Sequence, residues 1–404
     1  MIFRWKAVLM FAFMVILTSG CAGKTEINDL GLVMAVGLDK GKEEGTIQVT
    51  AQVARPADAR GQTGAPSGQT GEPIWSSTAT GDSIFTAIRH LGKHSSRRIY
   101  WAHNFVIVIN EDLAKEGIAD ILDFFTRNHQ LRMRTLVVVT PDPASKLVST
   151  ITGLEVVPGQ AIKDLFQYSS ITMAAPKTEM IDLQSAYLSD STHPVLARLS
   201  LEEHGISNKK PTAKANIKQI ELVGTGVFKN DKLIGTIGPE DTKGLLFFLE
   251  NVKSGAVAAQ CPSNPDKFMT VELRYQKFDA TPTYKDNQVG FDVKLKSSVQ
   301  VVEAGCPFSL KDRQQVKELE TQIEENLKGK IEKIVHLAQK EYKVDFLELG
   351  KVFNNRFPAE WKKIVPNWED EFTKAKISVE ADVQIKSSVL LYQPTQSGKK
   401  NEGY

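Results

Sequence analysis

Residues 31–55 read GLVMAVGLDKGKEEGTIQVTAQVAR, and they predict the β-hairpin that opens the folded part of the chain. The first run, 31–39, is apolar and ends in a polar turn rich in Lys, Glu and Gly. In the second run, 46–55, apolar residues alternate with glutamine and threonine, the period-2 pattern of a strand with one buried face. The chain therefore begins its fold with a sheet.

Upstream of this hairpin, the sequence has the layout of an export signal that ends at a cysteine. Arg4 and Lys6 precede the apolar run 7–17, and the small residues 18–20 lead to Cys21. This pattern predicts a lipoprotein signal peptide over 1–20, which is removed, and a diacylglyceryl group with palmitate-type acyl chains on Cys21. The alternative is an ordinary secreted protein, since Thr18 stands where bacterial lipidation sites usually have leucine.

The composition indicates a globular body outside the bilayer. The 404 residues suffice for two or three domains, and 41% hydrophobic and 24% charged residues are ordinary for a folded protein. The chain has 50 Lys and Arg against 48 Asp and Glu; without Arg4 and Lys6 the balance is 48 to 48, or zero. A neutral chain argues against nucleic-acid binding. It also argues against electrostatic attachment to a membrane, which would leave the lipid to act alone.

Two cysteines remain after Cys21 is assigned to the lipid. Cys261 and Cys306 can form a disulfide in an exported protein, or they can remain as two buried thiols. The sequence leaves both alternatives open.

Apolar strands alternating with amphipathic helices predict an N-terminal α+β domain over 21–155. Within it, 56–73 is rich in Gly, Gln, Ser, Thr, Ala and Pro, and it is expected to be a mobile loop or a partner-binding loop. The middle region, 156–215, is predicted to be mainly helical, either as a small domain or as an extension of the first. Its part 191–211 is expected to be polar and irregular.

A C-terminal α+β domain is predicted over 216–392. It starts with a hairpin, 217–237, and has two long alternating strands near 267–279 and 288–303. A long helix follows at 310–342, and 393–404 is a polar tail expected to be disordered. The apolar stripe of the long helix fits either a groove for a partner helix or, as we expect, a face packed on the chain's own sheet. The stripe consists of Val316, Leu319, Ile323, Leu327, Ile331, Ile334 and Ala338.

The predicted fold class is thus α+β, with several mixed sheets flanked by helices and arranged as two to three subdomains in series. The chain resembles the Ger(x)C family, the C subunits of spore nutrient germinant receptors. The resemblance covers nearly the whole mature chain and depends on the order and spacing of its segments. These segments are 26–30 (EINDL), 36–39 (VGLD), 100–103 (YWAH), 122–125 (LDFF) with Arg127, 132–140, 226–235 (GVFKNDKLIG), 243–246 (KGLL), 344–347 (VDFL) and 361–368.

The resemblance implies a non-catalytic lipoprotein on the outer face of the spore inner membrane. It implies integral-membrane A and B subunits as partners and a role in germinant-triggered germination. It does not indicate the germinant or the subunit that binds it. A second hypothesis is an extracytoplasmic solute-binding lipoprotein of a transporter, and a third is a lipoprotein hydrolase.

The sequence offers little chemistry of its own. His90 and His94 have the i, i+4 spacing of metal ligands on a helix, but Leu91 occupies the place of the catalytic glutamate of zinc proteases. We therefore expect no metal, no cofactor other than the lipid on Cys21, and no catalytic residues. His103 precedes a predicted buried strand, and we interpret it as structural rather than as part of a ligand or partner surface.

Overall fold

The computed structural model describes residues 5, 29–54, 74–128, 130–150, 155, 157–206 and 216–388. Four predicted features lie outside the described residues: the signal peptide 1–20 apart from Trp5, the lipidation site Cys21, the loop 56–73 and the tail 393–404. Among the described helices, none combines the length and the apolar character needed to cross a membrane.

The opening hairpin is present and lies near one end of the first sheet. Strand β1 (Leu30–Lys40) pairs antiparallel with β2 (Ile47–Ala54), and Val36 lies opposite Ala51. Strand β3 (Ile74–Gly81), which the sequence analysis did not predict, adds to the far side of β2. The hairpin is confirmed.

The first sheet has nine strands in the order β3-β2-β1-β5-β6-β7-β8-β9, with β4 beside the start of β1. Strands β1, β4, β5, β6 and β7 run parallel to their neighbours in the middle, and antiparallel pairs close both ends. The sheet is therefore mixed. The remaining strands are β4 (Arg98–Tyr100), β5 (Val106–Asn110), β6 (Leu136–Thr140), β7 (Val195–Ile206), β8 (Asn216–Lys229) and β9 (Lys232–Ile237).

Helices cover both faces of this sheet and bury a separate apolar core on each. The apolar stretch near 113–125 forms two helices instead of one, because Gly117 between them has φ 134°, a conformation that only glycine adopts easily. The helices are α1 (Ile84–Leu91), α2 (Glu111–Glu116), α3 (Ala119–Arg127), α4 (Ala144–Ser149), α5 (Pro158–Leu165), α6 (Ser169–Thr172) and α7 (Met180–Tyr187).

The prediction that 191–211 is irregular was wrong, because its larger part is strand β7. Leu196, Ala197, Leu199 and Leu201 are buried between the neighbouring strands and the helices. The charged residues that follow hid this apolar pattern. The next hairpin, β8 and β9, also pairs into the first sheet, although the predicted domain division placed it in the C-terminal domain. The hairpin joins the first sheet because β8 pairs with the otherwise open edge of β7, a contact that forms only in the tertiary structure.

The second sheet has four strands in the order β10-β11-β12-β13. Its two central strands are the predicted alternating stretches; the first is longer than predicted at both ends, and the second agrees with the prediction to within one residue. The last pair, β12 and β13, is parallel. The strands are β10 (Ala256–Cys261), β11 (Asn264–Lys285), β12 (Gln288–Ala304) and β13 (Lys376–Ser388).

The long helix α9 (Arg313–His336) packs on this second sheet, and its last turn widens into a π-helix at Leu337–Tyr342. The stripe residues from Leu319 to Ile331 belong to the core under the strands, which confirms that the stripe faces the chain's own sheet. Glu320 and Glu324 of the same helix accept hydrogen bonds from the backbone N–H groups of Ile385 and Val383. The helix thus covers the outer edge of β13.

Four shorter helices complete the C-terminal half: α8 (Pro239–Leu249), α10 (Leu349–Arg356), α11 (Pro358–Ile364) and α12 (Trp368–Lys374). Helix α8 lies so close to α9 that a Cβ atom at Gly244 would overlap the carbonyl of Lys330. Glycine at this position allows the two backbones to meet. The architecture is α+β with mixed sheets flanked by helices, as predicted.

The sulfur atoms of Cys261 and Cys306 are joined in a disulfide, and their Cα atoms are 6.3 Å apart. Cys261 ends β10, and Cys306 lies in the turn between β12 and α9. Both are buried in the core of the second sheet. The bond therefore ties an edge strand to the segment that leads into the long helix.

Replacing both cysteines by serine is expected to lower the free energy of unfolding by up to about 4 kcal/mol, because the bond closes a loop of 45 residues in the unfolded chain. Chemical denaturation of the mature chain with Cys21→Ala measures this. As a control, a reducing agent should lower the free energy of unfolding of the parent protein to that of the double variant. Alkylation of both thiols in the unreduced, unfolded protein would contradict the pairing.

Candidate functional site at the junction of the two sheets

The two sheets meet in one buried cluster, which we call the junction. It contains apolar residues from β7, β8 and β9 of the first sheet and from β12 of the second. Helices α8 to α12 and the segments that connect them contribute the rest, including the contacting rings of Phe353, Trp361, Trp368 and Phe372. The rings of Trp361 and Trp368 lie 5.0 Å apart at 61°, an edge-to-face contact. The larger junction residues are Val195, Val227, Leu245, Phe291, Ile334, Phe346, Phe353, Trp361, Trp368 and Phe372.

Asp345 is the one charged side chain that is buried inside the junction. One of its carboxylate oxygens accepts the N–H groups of Leu347 and Leu349 at 3.1 and 3.2 Å. The other accepts the N–H of Gly350 at 2.7 Å and the indole Nε1–H of Trp368 at 3.1 Å. The carboxylate therefore starts helix α10 and fixes α12 against it.

Burial raises the pKa of Asp345 to about 6, and the four N–H donors oppose this shift. At neutral pH the group is therefore a carboxylate, the form that can accept from all four donors. Its acceptor sites are filled by the chain itself. A carboxylate in this state holds structure together and has no free oxygen with which to transfer a proton to a ligand.

The backbone of the same residue reaches the first sheet, since the carbonyl of Asp345 accepts the N–H of His193 at 2.9 Å. The His193 ring is mostly buried: its Nδ1 accepts the N–H of Asn230 at 3.1 Å, and its Nε2 lies 3.3 Å from Glu369. Burial lowers the pKa of His193, although Glu369 raises it. Because Nδ1 accepts, the neutral ring carries its proton on Nε2, which points to Glu369.

Glu369 of α12 also bonds Lys229 at the end of β8, with the two charged atoms 2.6 Å apart. The second sheet's helices are thus tied to the first sheet by an ion pair, a histidine contact and a backbone bond. Gly350 makes this fit possible, because a Cβ atom there would lie 2.5 Å from Cβ of Ser191.

A cavity of about 190 Å³ opens at the side of the junction. Its polar lining includes Thr178, His193 and Glu250, and each of them has a partner within the chain. Thr178 donates to the carbonyl of Val195, and Glu250 accepts the N–H of Lys177 at 2.6 Å, while burial raises the pKa of Glu250. Typical small-molecule sites start at about 300 Å³. The cavity does not have the size or the free polar groups of a catalytic cleft.

A larger groove of about 620 Å³ lies between the disulfide hairpin and the first turns of α9. Its walls are Cys261, two prolines and the polar side chains of the helix, among them Lys317 and Glu318. No buried charged group faces it among the residues that line it. The groove is therefore a surface depression whose lining includes no buried charged group that could take part in catalysis.

The structure separates the two histidines that have metal-ligand spacing. Helix α1 ends at Leu91, so His94 lies in the turn beyond it. His90 Nδ1 lies 2.8 Å from the carbonyl of Thr80, and His94 Nε2 lies 2.7 Å from the hydroxyl of Ser77. No group of three metal-ligating side chains occurs among the described residues. His103 is half-buried in the turn before β5.

Asp345 and Trp368 lie in segments that carry the family resemblance, but the sequence assigned no role to either residue. His193 was not predicted from the sequence. A signal was present for Asp345: an acidic residue followed by an apolar pair and a glycine, just before a helical pattern, is typical of a helix start. No local pattern indicates that Trp368 supplies the fourth donor, because 23 residues separate the two.

Comparison with known proteins connects this two-sheet architecture with spore germination. Residues 23–201 match the family described as "Spore germination protein N-terminal domain". Residues 223–389 match "Spore germination B3/ GerAC like, C-terminal". The two matches meet near the start of β8, so the family boundary falls inside the first sheet. The pair of domains defines the class as two-domain spore germination proteins.

The similar proteins agree with this class over almost their whole length. The chain is 23% identical to "Spore germination protein KC" of Bacillus subtilis (strain 168), covering 98% of each chain. It is 21% identical to "Spore germination protein B3" of the same strain, over 94% of this chain and 96% of that one. The crystal structure of the GerBC protein superposes with a TM-score of 0.54 at 18% identity, covering 87% of this chain and 96% of the other, and shows the same fold.

The chain belongs to the Ger(x)C family, the family of germinant-receptor C subunits. The resemblance stated from the sequence is thereby confirmed. The second sheet and its long helix also distinguish the fold from two similar lobes around a cleft, the arrangement expected for a solute-binding protein.

Replacing Asp345 by asparagine is expected to lower the free energy of unfolding by about 2 to 5 kcal/mol. The amide nitrogen would face two of the four N–H donors and leave them buried without an acceptor, at about 1–3 kcal/mol each. Thermal or chemical denaturation of the purified chain measures the change.

The matched control is Asp370→Asn, because Asp370 is exposed in the first turn of α12, and its carboxylate contacts no cation or hydrogen-bond donor among the described residues. It should change the stability by no more than about 0.5 kcal/mol. Equal stability of the two variants would show that the four hydrogen bonds do not determine the junction.

Proposed function

We propose that the chain is the non-catalytic lipoprotein C subunit of a spore nutrient germinant receptor. In this role it acts with integral-membrane A and B subunits, and it is needed for germinant-triggered germination. The observation that carries the proposal is the pair of family matches, 23–201 and 223–389, which together cover most of the chain in the family's own order.

The proposed location is the outer face of the spore inner membrane, with the lipid on Cys21 as the anchor. Support comes from the sequence of 1–20, which has the basic, apolar and small-residue parts of an export signal. The disulfide between Cys261 and Cys306 is consistent with this location, because disulfides persist outside the cytosol. Two acyl chains provide the level of hydrophobic attachment that stable anchoring needs.

A non-catalytic role is supported by the chemistry of the junction. Its buried carboxylate accepts four hydrogen bonds from the chain, and its histidine is held neutral between a backbone N–H and a glutamate. Enzymes arrange such groups around an accessible substrate, with a nucleophile or base left free. Here the same groups hold two sheets together, so the proposal includes no cofactor beyond the covalent lipid.

Deletion of the gene in a sporulating host should abolish or slow germination in response to at least one nutrient. Spores are scored nutrient by nutrient for loss of refractility, and the deletion is complemented with the intact gene as a control. Normal germination with every nutrient, in a strain that lacks related receptors, would refute the receptor role.

Replacing Cys21 by alanine should release the protein from membranes, because the acylation site is lost. Membrane and soluble fractions of sporulating cells are compared by immunoblotting, and mass spectrometry of the N-terminal peptide detects the lipid in the parent. Cys306→Ser serves as a control that leaves Cys21 in place and should remain with the membranes. Unchanged membrane retention of the Cys21 variant would exclude the lipid as the main attachment.

A further inference from the structure

The first sheet gathers positive charge at one edge. In the stretch between Asp82 and Glu111 the chain carries four Lys or Arg residues and no Asp or Glu. Two of the four, Arg97 and Arg98, lie at the start of β4, which pairs in parallel with the start of β1 so that Leu30 is opposite Arg98. These arginines are therefore next to the point at which the described chain begins.

Two further arginines reach the same edge from the turn before β6. Parallel strands begin at the same edge of a sheet, and β1, β5 and β6 are parallel neighbours. The N–H of Leu136 donates to the carbonyl of Phe105, and the N–H of Phe105 donates to the carbonyl of Met34, so β5 and β6 start at the level of Met34, four residues into β1. Arg132 and Arg134 immediately precede this level. We call Arg97, Arg98, Arg132 and Arg134 the basic edge.

The four side chains of the basic edge are exposed, and none has a carboxylate within 4 Å among the described residues. Other arginines of the protein do pair in this way, for example Arg127 with Asp123 at 2.8 Å and Arg198 with Glu111 at 2.6 Å. Lys163 flanks the edge, with its ammonium group over the ring of Phe105. The acidic groups nearby include Asp29 before β1, Asp182 on α7, and Glu179, whose backbone lies opposite Leu136 and whose carboxylate is paired with Lys177 at 2.9 Å. The edge therefore carries a net positive charge.

The proposed lipid anchor places this edge close to a membrane. Cys21 precedes Leu30 by nine residues. A chain of that length spans at most about 30 Å when fully extended. The segment from Cys21 joins the described protein at Leu30, beside the basic edge. The basic edge is therefore held near the lipid surface, whichever direction this segment takes. Tethering at this range gives a high effective concentration for a weak second contact.

We propose that the basic edge binds anionic lipid headgroups and acts as a second membrane contact beside the acyl chains. Guanidinium groups match phosphate oxygens in charge and in geometry. The inference rests on the proposed anchoring at Cys21. The neutral net charge of the mature chain argued against electrostatic attachment to a membrane. The proposal differs from that expectation, because a net charge of zero does not reveal that four arginines lie at one edge.

The test uses the purified mature chain, 21–404, with Cys21→Ala, so that no protein in the experiment carries a lipid. Co-sedimentation is measured with vesicles of phosphatidylglycerol and phosphatidylcholine and with vesicles of phosphatidylcholine alone. The edge variant replaces all four arginines by glutamine. The control variant replaces four exposed lysines of the C-terminal half by glutamine, and so removes the same charge elsewhere. These lysines are Lys277, Lys285, Lys362 and Lys363.

The parent and the control variant should bind the phosphatidylglycerol vesicles, and the edge variant should bind at least about tenfold more weakly, since each basic residue near an anionic surface contributes a factor of about five. Added salt should weaken the binding of the parent, because it screens exposed charges beyond about 8 Å at physiological ionic strength. Unchanged thermal unfolding of the edge variant verifies that it is folded.

Three results would overturn the proposal: equal binding of parent and edge variant, no preference of the parent for phosphatidylglycerol, or an equal loss in the control variant. Loss of co-purification with membrane proteins in the edge variant, without any vesicle binding by the parent, would assign the edge to a protein partner instead. Since no acyl chain is present, these outcomes are independent of whether Cys21 is acylated in the cell. Failure of the lipid anchor and failure of the basic edge are therefore distinguishable.

Discussion

The buried carboxylate of Asp345 is the interaction on which the joining of the two sheets depends. A charge removed from water is costly unless it is fully hydrogen-bonded, and four N–H donors, from α10, the segment just before it and α12, meet this requirement. Each donor has to be in place at the same time. The start of α10, the position of α12 and the backbone contact with His193 are therefore fixed together.

This constraint couples the two family domains into one folded unit. The C-terminal match begins near β8, yet β8 and β9 complete the first sheet while the chain after them builds the second. Any relative movement of the sheets has to break the contacts of Glu369 with His193 and Lys229, or the hydrogen bond from the N–H of His193 to the carbonyl of Asp345. Because a buried donor or acceptor without a partner costs about 1–3 kcal/mol, the junction favours a single arrangement.

The charge distribution of the first sheet also depends on its topology. The mature chain is neutral by count, but parallel strands all start at one edge, so turns that precede them in sequence come together in space. The arginines before β4 and β6 accumulate there next to the beginning of β1. The sheet topology thus produces a local field that the overall composition does not contain, and field strength at a surface depends on local clustering rather than on net charge.

The sequence by itself determined the elements whose signal is periodic and local: the opening hairpin, the two long strands, the helix α9 with its apolar stripe, and the α+β class. It also determined the family, because the order and spacing of several short segments identify the family even though no single segment is specific enough to do so. Only the tertiary structure decided that 195–206 is a strand, that β8 and β9 join the first sheet, and that Asp345 meets Trp368 and His193. These features depend on open strand edges and on donors far apart along the chain. Such contacts leave no periodic trace in the sequence because the chain brings the partners together only on folding.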